Sequence, residues 1–189
     1  MGTTNQNVDK TKSFLKAKDV ALIGLFTALL AVCSYVSIPT VVPFTLQTLA
    51  VFLALGCLGG KRGTIAIALY ILMGSIGIPV FSGFKGGFGV ILGPTGGYIV
   101  GFILTGLLYW GAEKLLGKKF WVMAVLMLLG AVTYFAFGTV WFMIVYLNTT
   151  GPIGLLSVLE ICVIPFILPD LAKITVALLV SYKFKDKLI

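Results

Sequence analysis

Asp170 and Lys173 stand three residues apart in the apolar stretch that runs from Pro152 to Lys183. On a helix this spacing puts both side chains on one face, one turn apart. Two uses fit such a pair. It can hold a polar ligand group through charge-assisted hydrogen bonds. Alternatively, it can act locally, with Asp170 accepting free N–H groups at a helix start and Lys173 neutralising it. An ionisable residue at the centre of a membrane span costs about 2.5–3.5 kcal/mol, which weighs toward use of the pair. Glu160, ten residues before Asp170, reads as a solvated interfacial residue. Lys85 lies in a flexible segment, placed either to attract an anion or simply to be wet.

That segment, 78–96, is rich in glycine and contains Pro79 and Pro94, so it cannot form a regular helix. Glycines such as Gly89 and Gly96 let backbone approach a ligand closely and offer N–H and C=O groups as partners. They serve equally to break helices and pack spans together. Phe81, Phe84, Phe88 and Tyr98 supply apolar walls, Tyr98 adds a hydroxyl, and Gln47 adds an amide at the start of a nearby span. Apolar walls with few polar groups suit a small amphiphilic molecule.

Other chemistries are excluded. The chain has no histidine, which removes Ser–His nucleophiles, histidine metal sites and histidine proton relays. Gly60-Lys61 and Gly117-Lys118 lack the rest of a nucleotide phosphate loop, and Gly87-Phe88-Gly89 is followed by Leu92 where a dinucleotide fingerprint needs glycine. No catalytic residue, metal ligand or resident cofactor is assigned. Cys33, Cys57 and Cys162 have no CxxC spacing and read as small buried side chains.

The elements that position these residues follow from the charge map. Of the 189 residues, 59% are hydrophobic and 11% charged, far below the charge of a soluble domain. Residues 20–60, 63–84, 86–112 and 120–159 carry no charge at all. A span needs about 20 apolar residues, so an all-α, six-span membrane protein fits the length. The expected helices are 14–37, 45–59, 63–77, 97–116 and 120–146. A short outer helix follows at 153–163, then a break at 165–169 and a sixth span at 170–184. Residues 1–13 read as a mobile polar tail and 14–189 as the transmembrane domain, the first span being uncleaved.

Twelve of the fourteen basic residues fall in four clusters at 10–18, 61–62, 114–119 and 183–187. Six spans with both termini in the cytoplasm put all four inside, as the positive-inside rule expects. The net charge of +8 is thus a topology signal and not a nucleic-acid surface. The irregular segments then collect on the outer side, where they would roof a pocket. On the first helix, Ala17, Ala21, Gly24, Ala28 and Ala31, with Thr27, place small residues at helical spacing. They allow close helix approach, either within the bundle or to another membrane subunit.

Together the run Gly77-Ile78-Pro79-Val80-Phe81, the glycine cluster 83–89, Leu92-Gly93-Pro94-Thr95-Gly96-Gly97-Tyr98, Pro165-Phe166-Ile167 and Asp170-Leu171-x-Lys173 resemble the BioY family over about 20–183. Phe84 and Lys85 stand where that family's loop is usually richer in small residues, and Pro169 where a glycine commonly precedes the aspartate. The resemblance implies a six-helix substrate-binding (S) component of an energy-coupling-factor transporter in a bacterial cell membrane, capturing biotin from outside. The implied partners are a transmembrane coupling protein, docked on the small-residue face of the first helix, and two cytoplasmic ATPases. Biotin suits the residues. Asp170 can accept ureido N–H bonds, Lys173 or Lys85 can hold the carboxylate, and Tyr98 and Gln47 can serve the carbonyl. The alternatives are an S component for another small vitamin, and an ion-coupled carrier. The latter would need buried carboxylates or histidines and an internal repeat, neither of which is visible.

Overall fold

Long charge-free runs must satisfy their backbone groups internally if they sit in lipid, and helices do so segment by segment. The computed structural model describes residues 16–188; the expected tail at 1–13 lies outside them. The helices are α1 (Ala17–Tyr35), α2 (Gln47–Ser75), α3 (Phe88–Ile91), α4 (Gly96–Leu116), α5 (Phe120–Thr149), α6 (Leu155–Cys162) and α7 (Ile164–Leu188). Between α1 and α2 a two-residue antiparallel pair joins β1 (Ser37–Ile38) to β2 (Phe44–Thr45), with Ser37 opposite Thr45. Among the described residues, five helices (α1, α2, α4, α5 and α7) are long and apolar enough to cross a membrane.

The helices expected at 45–59 and 63–77 are the two arms of α2, which meet at a non-helical reversal. Gly59 adopts φ 78° and ψ 163°, a conformation open to glycine and closed to residues with a Cβ. The arms on either side fold back on one another: a Cβ added to Gly63 would sit 2.7 Å from the Ala54 carbonyl oxygen, which a straight helix would hold far away. Glu113 of α4 pins the reversal, its carboxylate accepting the Gly60 N–H at 2.6 Å.

The expected break at 165–169 is absent. Ile164 begins α7, and Pro169 lies within it. Pro165 sits in the first turn, where it is tolerated, and the bond Pro169 fails to make would have gone to the Pro165 carbonyl, still at the helix start. Helix continuity carries Asp170 into the second turn, so it does not cap the helix. The 78–96 segment is irregular as expected, apart from the single turn of α3.

The two ends of the bundle differ. One gathers the start of α1, the Gly59 reversal, the α4–α5 connection at 117–119 and the last turns of α7, where the Cys57 thiol meets the Ser181 hydroxyl. The other gathers 36–46, 76–95 and 150–163. Between them lies a core in which Phe52, Leu55, Ile67, Tyr70, Tyr109 and Met127 are fully buried.

Candidate ligand-binding site

A cavity of about 320 Å³ opens at the second end. Its floor is the expected pair. Lys173 Nζ donates to Asp170 Oδ1 at 2.8 Å and to the Thr45 carbonyl at 2.7 Å, and lies 4.2 Å from the centre of the Phe44 ring. The short β1–β2 pair is therefore what delivers the Thr45 carbonyl to the lysine. Asp170 Oδ1 also accepts the Thr48 hydroxyl at 3.0 Å, and Oδ2 accepts the Tyr134 hydroxyl. Both charges are almost fully buried. The floor is neutral as a unit. A carboxylate has room for about four hydrogen bonds, so three protein donors leave one position open.

Around this neutral floor the donors are in surplus. Among the described residues, Gln47 Nε2 is buried with no hydrogen-bond partner, and the buried Tyr98 and Thr139 hydroxyls, with the Cys162 thiol beside Tyr98, lie near one another without a well-formed hydrogen bond. Buried polar groups are nearly always paired, so unpaired donors at a cavity wall mark a place for something that accepts. Gln47 and Tyr98 line the cavity, whereas Thr139 sits behind Tyr98. The Tyr98 ring lies flat against Gly138 of α5, at a distance no side chain there would permit. Phe81, Phe102, Phe135 and Phe166 form apolar walls.

Six of the eight residues expected at a ligand thus line one cavity: Asp170, Lys173, Tyr98, Gln47, Phe81 and Lys85. Lys85 is exposed, at the rim and not the floor. Gly89 and Gly96 do not line it. Gly89 is exposed, and Gly96 instead permits its own backbone to pass against the Ile91 carbonyl. Phe84 and Phe88 point outward, 68% and 65% exposed, and Glu160 is exposed away from the lining. Residues not anticipated include Thr48, Tyr134 and the Thr45 carbonyl. A tyrosine hydroxyl at mid-span in α5 was the available signal, because buried tyrosines seek a partner.

On α1 the small residues Ala17, Ala21, Gly24 and Ala28 are exposed and Ala31 is half-buried. Nothing lies within 4 Å of a Cβ placed on Gly24. Thr27 turns inward and donates to the carbonyls of Ile23 and Ala66. A shallow apolar groove of about 230 Å³ runs between this face and Leu69, Tyr70, Met73 and Val80.

Comparison with known proteins gives a consistent picture. The BioY family model matches residues 5–188. The biotin transporter BioY of Thermotoga maritima is 41% identical over 167 residues, which cover 86% of this chain and 92% of that protein. A probable biotin transporter BioY of Pyrococcus horikoshii is 36% identical over 90% of this chain and 98% of its own length. Among solved structures, the crystal structure of the S-component for biotin from an ECF-type ABC transporter superposes with a TM-score of 0.78 at 26% identity, covering 98% of this chain and 95% of that one.

Proposed function

The chain belongs to the BioY family, and on that premise we propose that it is the biotin-capturing S component of an ECF-type transporter. It is a multi-pass membrane transport protein. The observation that carries the substrate is the neutral floor beside unpaired donors. A cavity floor of net zero charge favours a neutral head group, and the ureido ring of biotin is neutral. One ureido N–H fits the open position on Asp170, and the ureido oxygen fits the donors of Gln47 and Tyr98. The bicyclic ring occupies the phenylalanine-lined walls, and the carboxylate tail points to the rim, where Lys85 is the cation. Lys173, already bonded to Asp170 and the Thr45 carbonyl, orients the floor and does not need the tail.

Six crossings follow if the two arms of α2 each cross the membrane. An even number puts both termini on one side, and the basic clusters at the reversal end make that side the cytoplasm. The cavity then faces outward. Energy comes from partners: a transmembrane coupling protein seated on the small-residue face of α1 and two ATPase subunits beneath it. No resident cofactor is required.

Calorimetric titration of the purified protein with biotin tests the substrate. Tight one-to-one binding is expected, abolished or strongly weakened in Asp170→Asn and Lys173→Ala. Unchanged affinity in both variants would sink the assignment of the floor. Release of a different vitamin from denatured protein, with no competition by biotin, would sink the substrate.

A further inference from the structure

The segment that forms one wall and the rim of the cavity is attached to the end of α1 by a set of contacts that do not themselves touch the cavity. Ser34 Oγ donates to the Val80 carbonyl at 2.6 Å, and Tyr35 Oη donates to the Pro79 carbonyl at 2.8 Å. Beyond them the chain makes a tight turn. Phe81 N–H donates to the Lys85 carbonyl at 2.9 Å, and Lys85 N–H returns to the Phe81 carbonyl at 3.3 Å. The turn needs two successive left-handed residues, Gly83 at φ 72° and Phe84 at φ 57°. Glycine adopts this conformation freely, but Phe84 does not, and it is the one described residue other than glycine with positive φ.

What holds Phe84 there is on the outside of the molecule. Its ring stacks on Tyr35, centroids 4.3 Å apart and planes 24° from parallel, while its side chain is otherwise largely exposed. Of the two residues that close this turn, Phe81 is 1% exposed at the wall and Lys85 is exposed at the rim. Tyr35 is not part of the cavity lining.

The geometry points to Tyr35 as a positioning residue for ligand capture: its ring on Phe84 and its hydroxyl on Pro79 hold the 79–85 turn across the cavity mouth, and loss of the stack releases that turn. The strained backbone at Phe84 makes the turn depend on that ring, so losing the ring frees the turn to move off the cavity. The inference takes the cavity to be the ligand site of the proposed function, but its test does not need biotin.

Cys162 supplies the reporter. It lines the cavity, is 1% exposed, and its thiol is pushed up by burial, so it reacts slowly while the turn is held in place. In full-length protein carrying Cys33→Ala and Cys57→Ala, the rate of Cys162 alkylation by a small maleimide reads opening of the cavity. Tyr35→Ala and Phe84→Ala are each expected to speed alkylation about fivefold, the scale set by one aromatic stack. The double variant should go no faster than Tyr35→Ala, because that variant already removes both the stack and the hydroxyl's bond to Pro79. Tyr35→Phe keeps the ring and should stay within about twofold of the parent. Unchanged melting temperatures separate opening of the turn from general loosening. Alkylation at the parent rate in both alanine variants overturns the inference, and so do additive increases. If the expected pattern appears but biotin does not protect Cys162 in the parent, the turn is held as described and the biotin assignment fails.

Discussion

The two ends of the bundle both use carboxylate–cation pairs, and they use them differently. At the reversal end, Asp19 meets Arg62 at 3.0 Å and Glu113 meets Lys118 at 3.7 Å. Each of these carboxylates also accepts a backbone N–H, Asp19 from Lys16 and Glu113 from Gly60. Their cations are partly open to water, Lys118 by 39% of its side chain. At the cavity end, Asp170 and Lys173 are 4% and 8% exposed, and Asp170 accepts only side-chain donors. Beside that pair stand two buried donors without a well-formed hydrogen bond, Gln47 Nε2 and the Tyr98 hydroxyl. Where the carboxylate also takes a backbone N–H, the pair fastens the fold. Where buried donors are left over, the pair is the one we assign to the proposed ligand site.

Breaking the buried pair should have the largest effect and should move stability and affinity together. Lys173→Met leaves the Asp170 carboxylate without its cation, and one-sided removal of a buried pair costs about 3–5 kcal/mol. Biotin affinity should fall by about two orders of magnitude, as expected when a hydrogen bond to a charged group worth about 1.5–3 kcal/mol is disturbed. Adding Asp170→Asn removes the stranded charge. The double variant should therefore regain most of the stability and none of the affinity, as read by thermal unfolding and calorimetry. Recovery of affinity in the double variant would mean that the floor is structural, like the pairs at the other end.

The unpaired donors should separate the two quantities. Tyr98→Phe and Gln47→Met each remove a buried group that makes no well-formed hydrogen bond in the protein, so melting temperature should stay level or rise. Biotin affinity should drop about tenfold for each, the loss of one hydrogen bond in a dry site. A fall in stability with unchanged affinity would reverse the distinction drawn between the two ends.

At the reversal end the opposite separation is expected. Glu113→Ala frees the Gly60 N–H and weakens the turn at Gly59, costing about 1–2 kcal/mol on the scale of a lost helix cap. Biotin binding by the folded protein should be unchanged, because Glu113 lies at the far end of the bundle from the cavity.

The sequence made the local half of this arrangement legible. The spacing of Asp170 and Lys173 placed them on one face, and the glycine-rich 78–96 run marked the irregular wall. On α1, Ala17, Ala21, Gly24 and Ala28 are exposed at the spacing read for that helix, while Ala31 is half-buried and Thr27 is buried. Long-range partners were not legible: Thr48 and Tyr134 reach Asp170 across 122 and 36 residues, and no local pattern announces either contact. Two punctuation signals carried only part of their meaning. Gly59-Gly60 marked the end of a helix, but the fold-back depends on Glu113 of α4. Pro169 suggested a break, yet it sits close enough to the start of α7 for the helix to absorb it. Glycine at position 96 permits close approach, as its type suggests, but what approaches is the Ile91 carbonyl and not the cavity.

The smallest effect should come from Asp19→Asn, and it is the finest test of the comparison. Asparagine keeps an oxygen that can accept the Lys16 N–H, so the cap of α1 survives and only the charge opposite Arg62 is lost. The Arg62 side chain is 23% exposed, and pairs open to water contribute about 0.2–1 kcal/mol. The loss in stability should therefore be a few tenths of a kcal/mol, and it should shrink as salt is raised, because screening already weakens the pair in the parent. The floor pair is shielded from water, so the stability lost in Lys173→Met should change little over the same salt range. Thermal unfolding of both variants at low and high salt measures the two responses side by side. Equal salt dependence at the two ends would erase the physical difference on which the assignment of a structural end and a binding end depends.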